Sequence, residues 1–278
     1  SRTAIFIHII TVLIISLVVP APYIFLLIQI FGGIIAVISL RDMTQRAQLA
    51  QTSLFILLSY SLTYTAATLL IAGNITALEY RYYFYFAINA ILVICSYGLI
   101  FLFERSFGLL SNITLVELTN VNSNLMLTFA EKAPGTFQHS IQVSNLAAAA
   151  ANKVGASSLL VRTGAMYHDI GKLENPIYFT ENQSGGISPH KRLTPIESAQ
   201  VIIKHVTNGL AIAERENLPK KIKEFITTHH GLSKTGYFYI TYKNEHPDEV
   251  IDDKLFTYPG PKPFTKEQAV LMMADCVE

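Results

Sequence analysis

The chain has 278 residues, with 21 basic and 20 acidic side chains and a hydrophobic fraction of 51 %. That length allows about two domains at roughly 150 residues each. The near-neutral balance offers no field for a polyanion, which excludes a nucleic-acid polymer as partner.

The charges are unevenly placed. Residues 1–103 carry only Arg2, Arg41, Asp42, Arg46, Glu79 and Arg81, whereas 104–278 carry seventeen basic and eighteen acidic residues. The first part reads as membrane and the second as a soluble domain. Four apolar segments precede residue 104: Thr3–Val19, Tyr23–Leu40, about Leu49–Ala72 and about Tyr82–Phe103. Each approaches the ~20 residues that cross hydrocarbon as a helix. Residues 1–19 also admit a signal-peptide reading, but no small-residue cleavage site follows them. A buried helical bundle is the other alternative for the four segments. Arg2, Arg41, Arg46 and Arg105 put both chain ends and the 41–48 loop on the cytoplasmic side by the positive-inside rule. Tyr80, Tyr82, Tyr83 and Tyr85 then form an aromatic belt at the outer end of the fourth span.

After Arg105 the pattern is amphipathic. Residues 104–133 read as one or two linker helices, ending at Lys132-Ala133-Pro134-Gly135. Helices are predicted over Ser140–Val154, Ser158–His168, Thr194–Glu216 and Leu218–His230 from periodicity and Pro/Gly punctuation. Residues 174–193 and 231–264 are rich in Gly, Pro, Asn and Ser and read as long loops, with Tyr237-Phe238-Tyr239 as a short apolar strand. The chain opens on Ser1-Arg2 without a Met and stops inside a helical pattern at Asp275-Cys276-Val277-Glu278, so both ends read as cuts in a longer protein. Cys95, in an apolar run, and Cys276 make no disulfide framework.

The soluble part holds seven of the eight histidines. Five of them combine with two aspartates in the order His139, His168-Asp169, His205, His229-His230, Asp275. Imidazole with carboxylate suits borderline divalent ions such as iron, manganese or zinc. Seven ligands are too many for one ion and suit two, if one carboxylate bridges. A single His-Asp pair has little meaning by itself, and adjacent helical histidines such as His229-His230 point about 100° apart. The weight lies in all five elements together.

Residues 134–278 resemble the HD-domain phosphohydrolase superfamily. The whole chain resembles the bacterial seven-transmembrane HD-domain receptors that hydrolyse cyclic di-AMP. The stretches that carry the resemblance are Ala133–Ser140, Tyr167-His168-Asp169-Ile170-Gly171-Lys172, Phe179–Gln183, Leu193-Thr194-Pro195, His229-His230-Gly231 and Met273-Ala274-Asp275. The resemblance implies an all-α architecture: a multi-span transmembrane region (1–103, about four of seven helices), linker helices (104–133) and a cytoplasmic HD domain (134–278), at the inner membrane. It implies two divalent cations, manganese or iron. One would be held by His139, His168, Asp169 and Asp275, and the other by Asp169, His205, His229 and His230, with Asp169 bridging. Water activated between the cations would attack phosphorus in line with a leaving 3′-oxygen. Lys172 would meet a non-bridging oxygen, although a Lys there also complements a helix C-terminus.

Asn182 and Gln183 would contact a base or brace a ligand, against ordinary loop polarity as the alternative. Tyr237, Phe238 and Tyr239 read as core residues before base-stacking ones. His190 and His246 read as structural or solvated, and the loop Thr257–Phe264 is a candidate rim. The implied activity is opening of cyclic di-AMP to pApA. Cyclic di-GMP, (p)ppGpp or a dNTP is the alternative substrate, and a non-catalytic nucleotide sensor the alternative role. The Gly-Tyr-Pro motif of cyclic di-GMP-cleaving relatives is missing, with Gly236-Tyr237-Phe238 its nearest approach.

Overall fold

The computed structural model describes residues 2–41, 47–183, 185 and 187–278, with the side chains at 97, 100, 101 and 105 outside the description. Arg46 and the Arg105 side chain, on which the sidedness expectation leans together with Arg2 and Arg41, lie outside the described residues. The chain divides into two compact units, Ser1–Ile113 and Thr114–Glu278.

The first unit holds α1 (Arg2–Ser16), α2 (Pro22–Ser39), α3 (Ala47–Ala72) and α4 (Tyr80–Phe107), each packed on its neighbour in sequence. Close approach needs small residues. A Cβ on Gly33 would overlap the His8 ring, and one on Gly32 would lie 2.0 Å from Tyr60. Side-chain hydrogen bonds cross the seams: Tyr60 donates to Gln29 Oε1 at 2.9 Å, and Ser53 donates to the Ala90 carbonyl at 2.7 Å. Small residues and polar links of this kind are what hold apolar helices together where water supplies no drive. Large apolar side chains point outward on every helix, among them Phe6, Leu62, Leu70 and Phe84. Among the described residues two helices, Pro22–Ser39 and Ala47–Ala72, are long and apolar enough to cross a membrane, while Arg2–Ser16 is shorter.

The second unit is built from helices α5 (Asn112–Leu118, which begins just before the division), α6 (Asn124–Lys132), α7 (Pro134–Lys153), α8 (Ser158–Tyr167), α9 (Pro195–Arg215), α10 (Lys220–Thr228), α11 (Gly236–Glu245) and α12 (Lys266–Val277). Four of these starts have a local cause in the sequence. Pro134 opens α7 at its first turn, where its missing N–H costs nothing. The Ser157 and Thr265 hydroxyls accept backbone N–H bonds at the starts of α8 and α12. Thr194 and Glu197 form a reciprocal capping box on α9, worth about 1 kcal/mol.

The core joins Val143, Ala147 and Ala151 of α7, Val161 and Ala165 of α8, Phe225 of α10, and Val270, Leu271 and Ala274 of α12. Full burial of each larger aliphatic or aromatic chain contributes about 1.5–3 kcal/mol. The alanine run of α7 lets α8 lie close, and Gly164 leaves room for the Phe225 ring, 2.4 Å from where a Cβ would stand.

Two expectations need correction. Residues 231–264 are not one loop, because α11 and a 3-10 turn at Asp253–Phe256 lie within them. Tyr237-Phe238-Tyr239 therefore sit on a helix, packed on α9. No strand forms among the described residues; Lys234 and Thr257 make one isolated antiparallel bridge.

Candidate metal centre

Five helix ends or faces converge on Asp169. His139 projects from α7, His205 from α9 and Asp275 from α12. His168 caps the C-terminus of α8, and Asp169 starts the 3-10 segment Ile170–Glu174. That segment lies directly on α9: a Cβ on Gly171 would stand 1.8 Å from the His205 carbonyl oxygen. Glycine at 171 thus permits the approach that brings Asp169 to His205. His229 is the C-cap of α10 and His230 lies beyond the helix. Gly231 follows with φ +53, a turn natural to glycine. Since His230 is not helical, the 100° divergence expected of neighbours on a helix does not apply, and both rings join the cluster.

The distances fall into two groups around one carboxylate. Asp169 Oδ2 faces His168 Nε2 at 3.3 Å and His139 Nε2 at 3.8 Å. Asp169 Oδ1 faces His205 Nε2 at 3.3 Å and His229 Nε2 at 3.6 Å. Asp275 Oδ1 stands 3.1 Å from His139 Nε2 and 3.3 Å from His168 Nε2, and its Oδ2 is 4.0 Å from His230 Nδ1. Two donor sets result, Asp169/His205/His229/His230 and His139/His168/Asp275, each with all donor atoms within 4.8 Å of one another.

The tautomers favour a cation. His168, His205 and His229 each donate Nδ1–H to a carbonyl three residues earlier, those of Ala165 (2.6 Å), Ile202 (2.7 Å) and Ile226 (2.8 Å). In a neutral ring this leaves a lone pair on Nε2, the orientation typical of metal-ligating histidine. His205 Nε2 and His229 Nε2 are then 3.1 Å apart with lone pair facing lone pair, an arrangement that a cation relieves. His168 Nε2 and Asp169 Oδ1 are buried with no hydrogen-bond partner, although such atoms are normally satisfied. The residues present therefore fit divalent metal.

Electrostatics agree. Burial opposes charge on His168, but the Asp169 and Asp275 carboxylates outweigh it and push its pKa up to about 10. Burial pushes His205 down to about 3 and His230 down to about 2, which keeps both rings neutral as ligands. Burial also opposes ionisation of Asp169, yet Lys172 and His168 hold it well below the usual carboxylate range. The centre is built to gather positive charge.

Lys172 lies against this set. Its Nζ is 2.8 Å from Asp169 Oδ2, donates to Glu181 Oε1 at 2.8 Å, and sits 4.9 Å above the Phe179 ring. Asn182 and Gln183 are not brought into the cluster. Asn182 donates to Thr136 Oγ1 at 2.8 Å and accepts from Thr136 N at 3.1 Å, while Gln183 donates to the Ile177 carbonyl at 2.9 Å. Asn182 braces the 3-10 turn Thr180–Asn182 against α7, where a Cβ on Gly135 would lie on the Glu181 carbonyl oxygen, and Gln183 ties that turn to the one before it. His190 packs between Tyr178 and Phe238, and His246 stacks on Tyr242, both away from the donor sets.

Three residues at the centre were not assigned from sequence. Glu181 holds Lys172. Glu278 Oε2 is 2.5 Å from His139 Nδ1, in the place that a backbone carbonyl takes for His168, His205 and His229. Tyr258, from the proline-rich loop, stacks on His230 with ring centroids 4.1 Å apart. Glu181 lies ten or more residues from any ligand and Glu278 three past Asp275, and no motif spacing marks a carboxylate that acts through a neighbour.

Fold and donor set together define a helical domain of the metal-dependent hydrolase class. The HD-domain family model matches residues 136–278, and the model described as 7TM receptor with intracellular HD hydrolase matches 1–111. The chain belongs to the HD-domain family.

The cyclic-di-AMP phosphodiesterase PgpH of Listeria monocytogenes is 40 % identical over 257 residues, covering 90 % of this chain and 35 % of that protein. Its namesake in Bacillus subtilis is 36 % identical over 261 residues, covering 92 % of this chain and 36 % of that protein. This chain thus spans about a third of the length of the curated relatives it matches. The crystal structure of the L. monocytogenes PgpH HD domain in complex with cyclic-di-AMP is similar at TM-score 0.54 and 45 % identity, over 57 % of this chain and 73 % of that one.

Proposed function

We propose that this chain is the membrane-anchored, metal-dependent phosphodiesterase part of a receptor that opens cyclic di-AMP to linear pApA. One observation carries the reading most: the two oxygens of Asp169 face separate donor groups, 3.3 Å from His168 and 3.3 Å from His205. A bridging carboxylate of that kind serves a pair of cations, manganese or iron on the donor chemistry. His139, His168, Asp169 and Asp275 would hold one, and Asp169, His205, His229 and His230 the other. Bound there, the pair supplies Lewis acidity that activates water and offsets phosphoryl charge.

The remaining work falls to the chain. Asp169, buried and ionised, fixes the separation of the two donor sets. Lys172 exchanges its bond to Glu181 for a non-bridging phosphate oxygen and offsets the charge that shifts there during in-line displacement of the 3′-oxygen. Tyr258 shields the His230 edge from water. One water is consumed, one P–O3′ bond breaks, and the product keeps a terminal phosphate. Residues 1–103 would span the membrane several times and 104–133 would link them to the cytoplasmic domain at 134–278, an arrangement supported by the outward apolar faces of α1–α4 and the family match.

The test is product analysis with a nucleotide panel on manganese-loaded full chain. Conversion of cyclic di-AMP to pApA, lost by at least a thousandfold in Asp169→Asn, is expected. Preferred turnover of cyclic di-GMP, (p)ppGpp or a dNTP would replace the substrate, and tight binding without product would make the chain a sensor.

A further inference from the structure

The linker helices α5 and α6 are seated on the helices that carry metal ligands. Leu118 ends α5, and its carbonyl is one of those that a helix leaves without an internal partner. The Tyr167 hydroxyl, at the end of α8, donates to it at 2.8 Å. Thr163, one turn earlier on α8, donates to the Leu115 carbonyl at 3.4 Å but to the Leu159 carbonyl of its own helix at 2.8 Å. Tyr167 therefore makes the firmer link. Both Leu115 and Tyr167 are buried. Helix α6 continues the contact onto α7. Its Met126 and Phe129 are fully buried, and the Phe129 ring meets the Phe137 ring edge-on, with centroids 5.7 Å apart.

Both anchors stand next to ligands of the same donor set. Tyr167 directly precedes His168, and Phe137 stands two residues before His139. His139 and His168 belong together with Asp275. The histidines of the other set come from α9 and from the end of α10. Toward α9 the linker faces a cleft of about 310 Å³, whose α9 side is Ile212, Arg215 and Glu216, seven or more residues past His205. Helix α6 also packs on the 3-10 segment after Asp169. Asp169 serves both sets, so it is the histidines that tell them apart.

We propose that Tyr167 is a positioning residue: through its hydroxyl the end of α5 holds the His168 end of α8, and with it the His139/His168/Asp275 donor set. The linker thus governs one cation site of the pair and leaves the other to α9 and α10. This rests on the two-cation reading and is independent of which nucleotide is cleaved. A hydroxyl that merely found a hydrogen-bond partner would, when lost, loosen the fold without favouring either set. Here the loss falls one peptide bond from a ligand. The His168 ring is fully buried and its direction is set by the Ala165 carbonyl of the same helix end, so a shift of that end moves Nε2 with it.

The experiment is equilibrium dialysis of manganese against the full chain, in two backgrounds that each cripple one donor set. His230→Ala leaves His139/His168/Asp275 intact, and Asp275→Ala leaves Asp169/His205/His229/His230 intact. Tyr167→Phe is added to each; it keeps the ring in the core and removes only the hydroxyl. In His230→Ala the manganese Kd is expected to rise about three- to tenfold, the range that one hydrogen bond allows. In Asp275→Ala it is expected to stay within about twofold of its parent. Thr235→Val removes another buried hydroxyl that donates to a carbonyl, that of Phe256 at 3.2 Å, and is expected to leave both affinities unchanged. Equal weakening by Tyr167→Phe in both backgrounds, or no change in either, would overturn the assignment and leave the metal centre standing. A wild-type chain that takes up no manganese would instead overturn the two-cation reading, and the assignment with it.

Discussion

At the residue scale, the centre depends on how each ring is held as much as on which rings are present. Three histidines are oriented by carbonyls of their own helices, at 2.6–2.8 Å, so their direction is set as soon as the helix forms. His139 is different, because its Nδ1 meets the Glu278 carboxylate instead. A carboxylate behind a ligating imidazole raises its basicity and locks its tautomer, and losing such a partner typically costs about 10–100-fold in metal affinity. Glu278→Gln is therefore expected to weaken metal retention by about that factor, read by competition with a chelator, without unfolding the domain. Unchanged retention would remove Glu278 from the account. The seven candidate donors and their order were legible in the sequence, and the fold gathers them into two groups. The orienting carboxylates Glu181 and Glu278 were not, because a group that acts through a neighbour leaves no spacing of its own. Asn182 and Gln183 show the reverse: amides beside a motif, yet engaged with Thr136 and Ile177 in bracing the fold.

At the scale of elements, one close crossing sets the site. The 3-10 segment after Asp169 touches α9 at Gly171, and the neighbouring Gly209 of α9 faces the same seam, 3.2 Å from Gly171 N to where a Cβ would be. Gly171→Ala would force a methyl against the His205 backbone. Overpacking of this kind costs about 1–3 kcal/mol, and here it also pushes Asp169 away from His205. A lowered Tm together with reduced metal retention is expected. Gly236→Ala is the control: a Cβ there meets nothing within 4 Å, and its Tm is expected to stay within a few degrees of wild type. Equal effects for the two glycines would refute the crossing argument.

Helix α9 was readable from apolar periodicity and from Thr194 and Pro195, whereas α7 begins at Pro134, six residues before the expected Ser140. Helix α11 was not readable. Tyr237-Phe238-Tyr239-Ile240 is a run of strand-favouring residues in a Gly- and Pro-rich neighbourhood, and its packing on α9 overrides that local preference. The separation of His229 from His230 was likewise invisible, since it depends on α10 ending at Thr228, two residues before the expected end at His230.

At the scale of the whole molecule, two kinds of surface meet in one chain. The first unit turns Phe6, Leu62, Leu70 and Phe84 outward, which water penalises and lipid does not. The charge asymmetry of the sequence announced this, while the sidedness rests on Arg2, Arg41, Arg46 and Arg105, of which Arg46 and the Arg105 side chain lie outside the described residues. Detergent is expected to be necessary to extract the chain from membranes, with high salt or carbonate leaving it in the pellet; release by salt alone would contradict a spanning region.

In the second unit, metal that binds only the folded state adds stability by mass action, about 2.7 kcal/mol at a hundredfold excess over Kd. EDTA is thus expected to lower the Tm of the HD domain, and manganese to restore it. No shift on metal removal would mean that the buried unpaired atoms His168 Nε2 and Asp169 Oδ1 have another purpose.

The central claim is that Asp169 joins two cation sites into one hydrolytic centre. The most direct measurement is metal content by elemental analysis, taken with cyclic di-AMP turnover, on the same preparations of wild type and Asp169→Ala. The account predicts two equivalents of metal per chain and pApA formation in wild type, with metal reduced to one equivalent or less and turnover abolished in the variant. A variant that keeps two equivalents, or that still forms pApA at the wild-type rate, would contradict it.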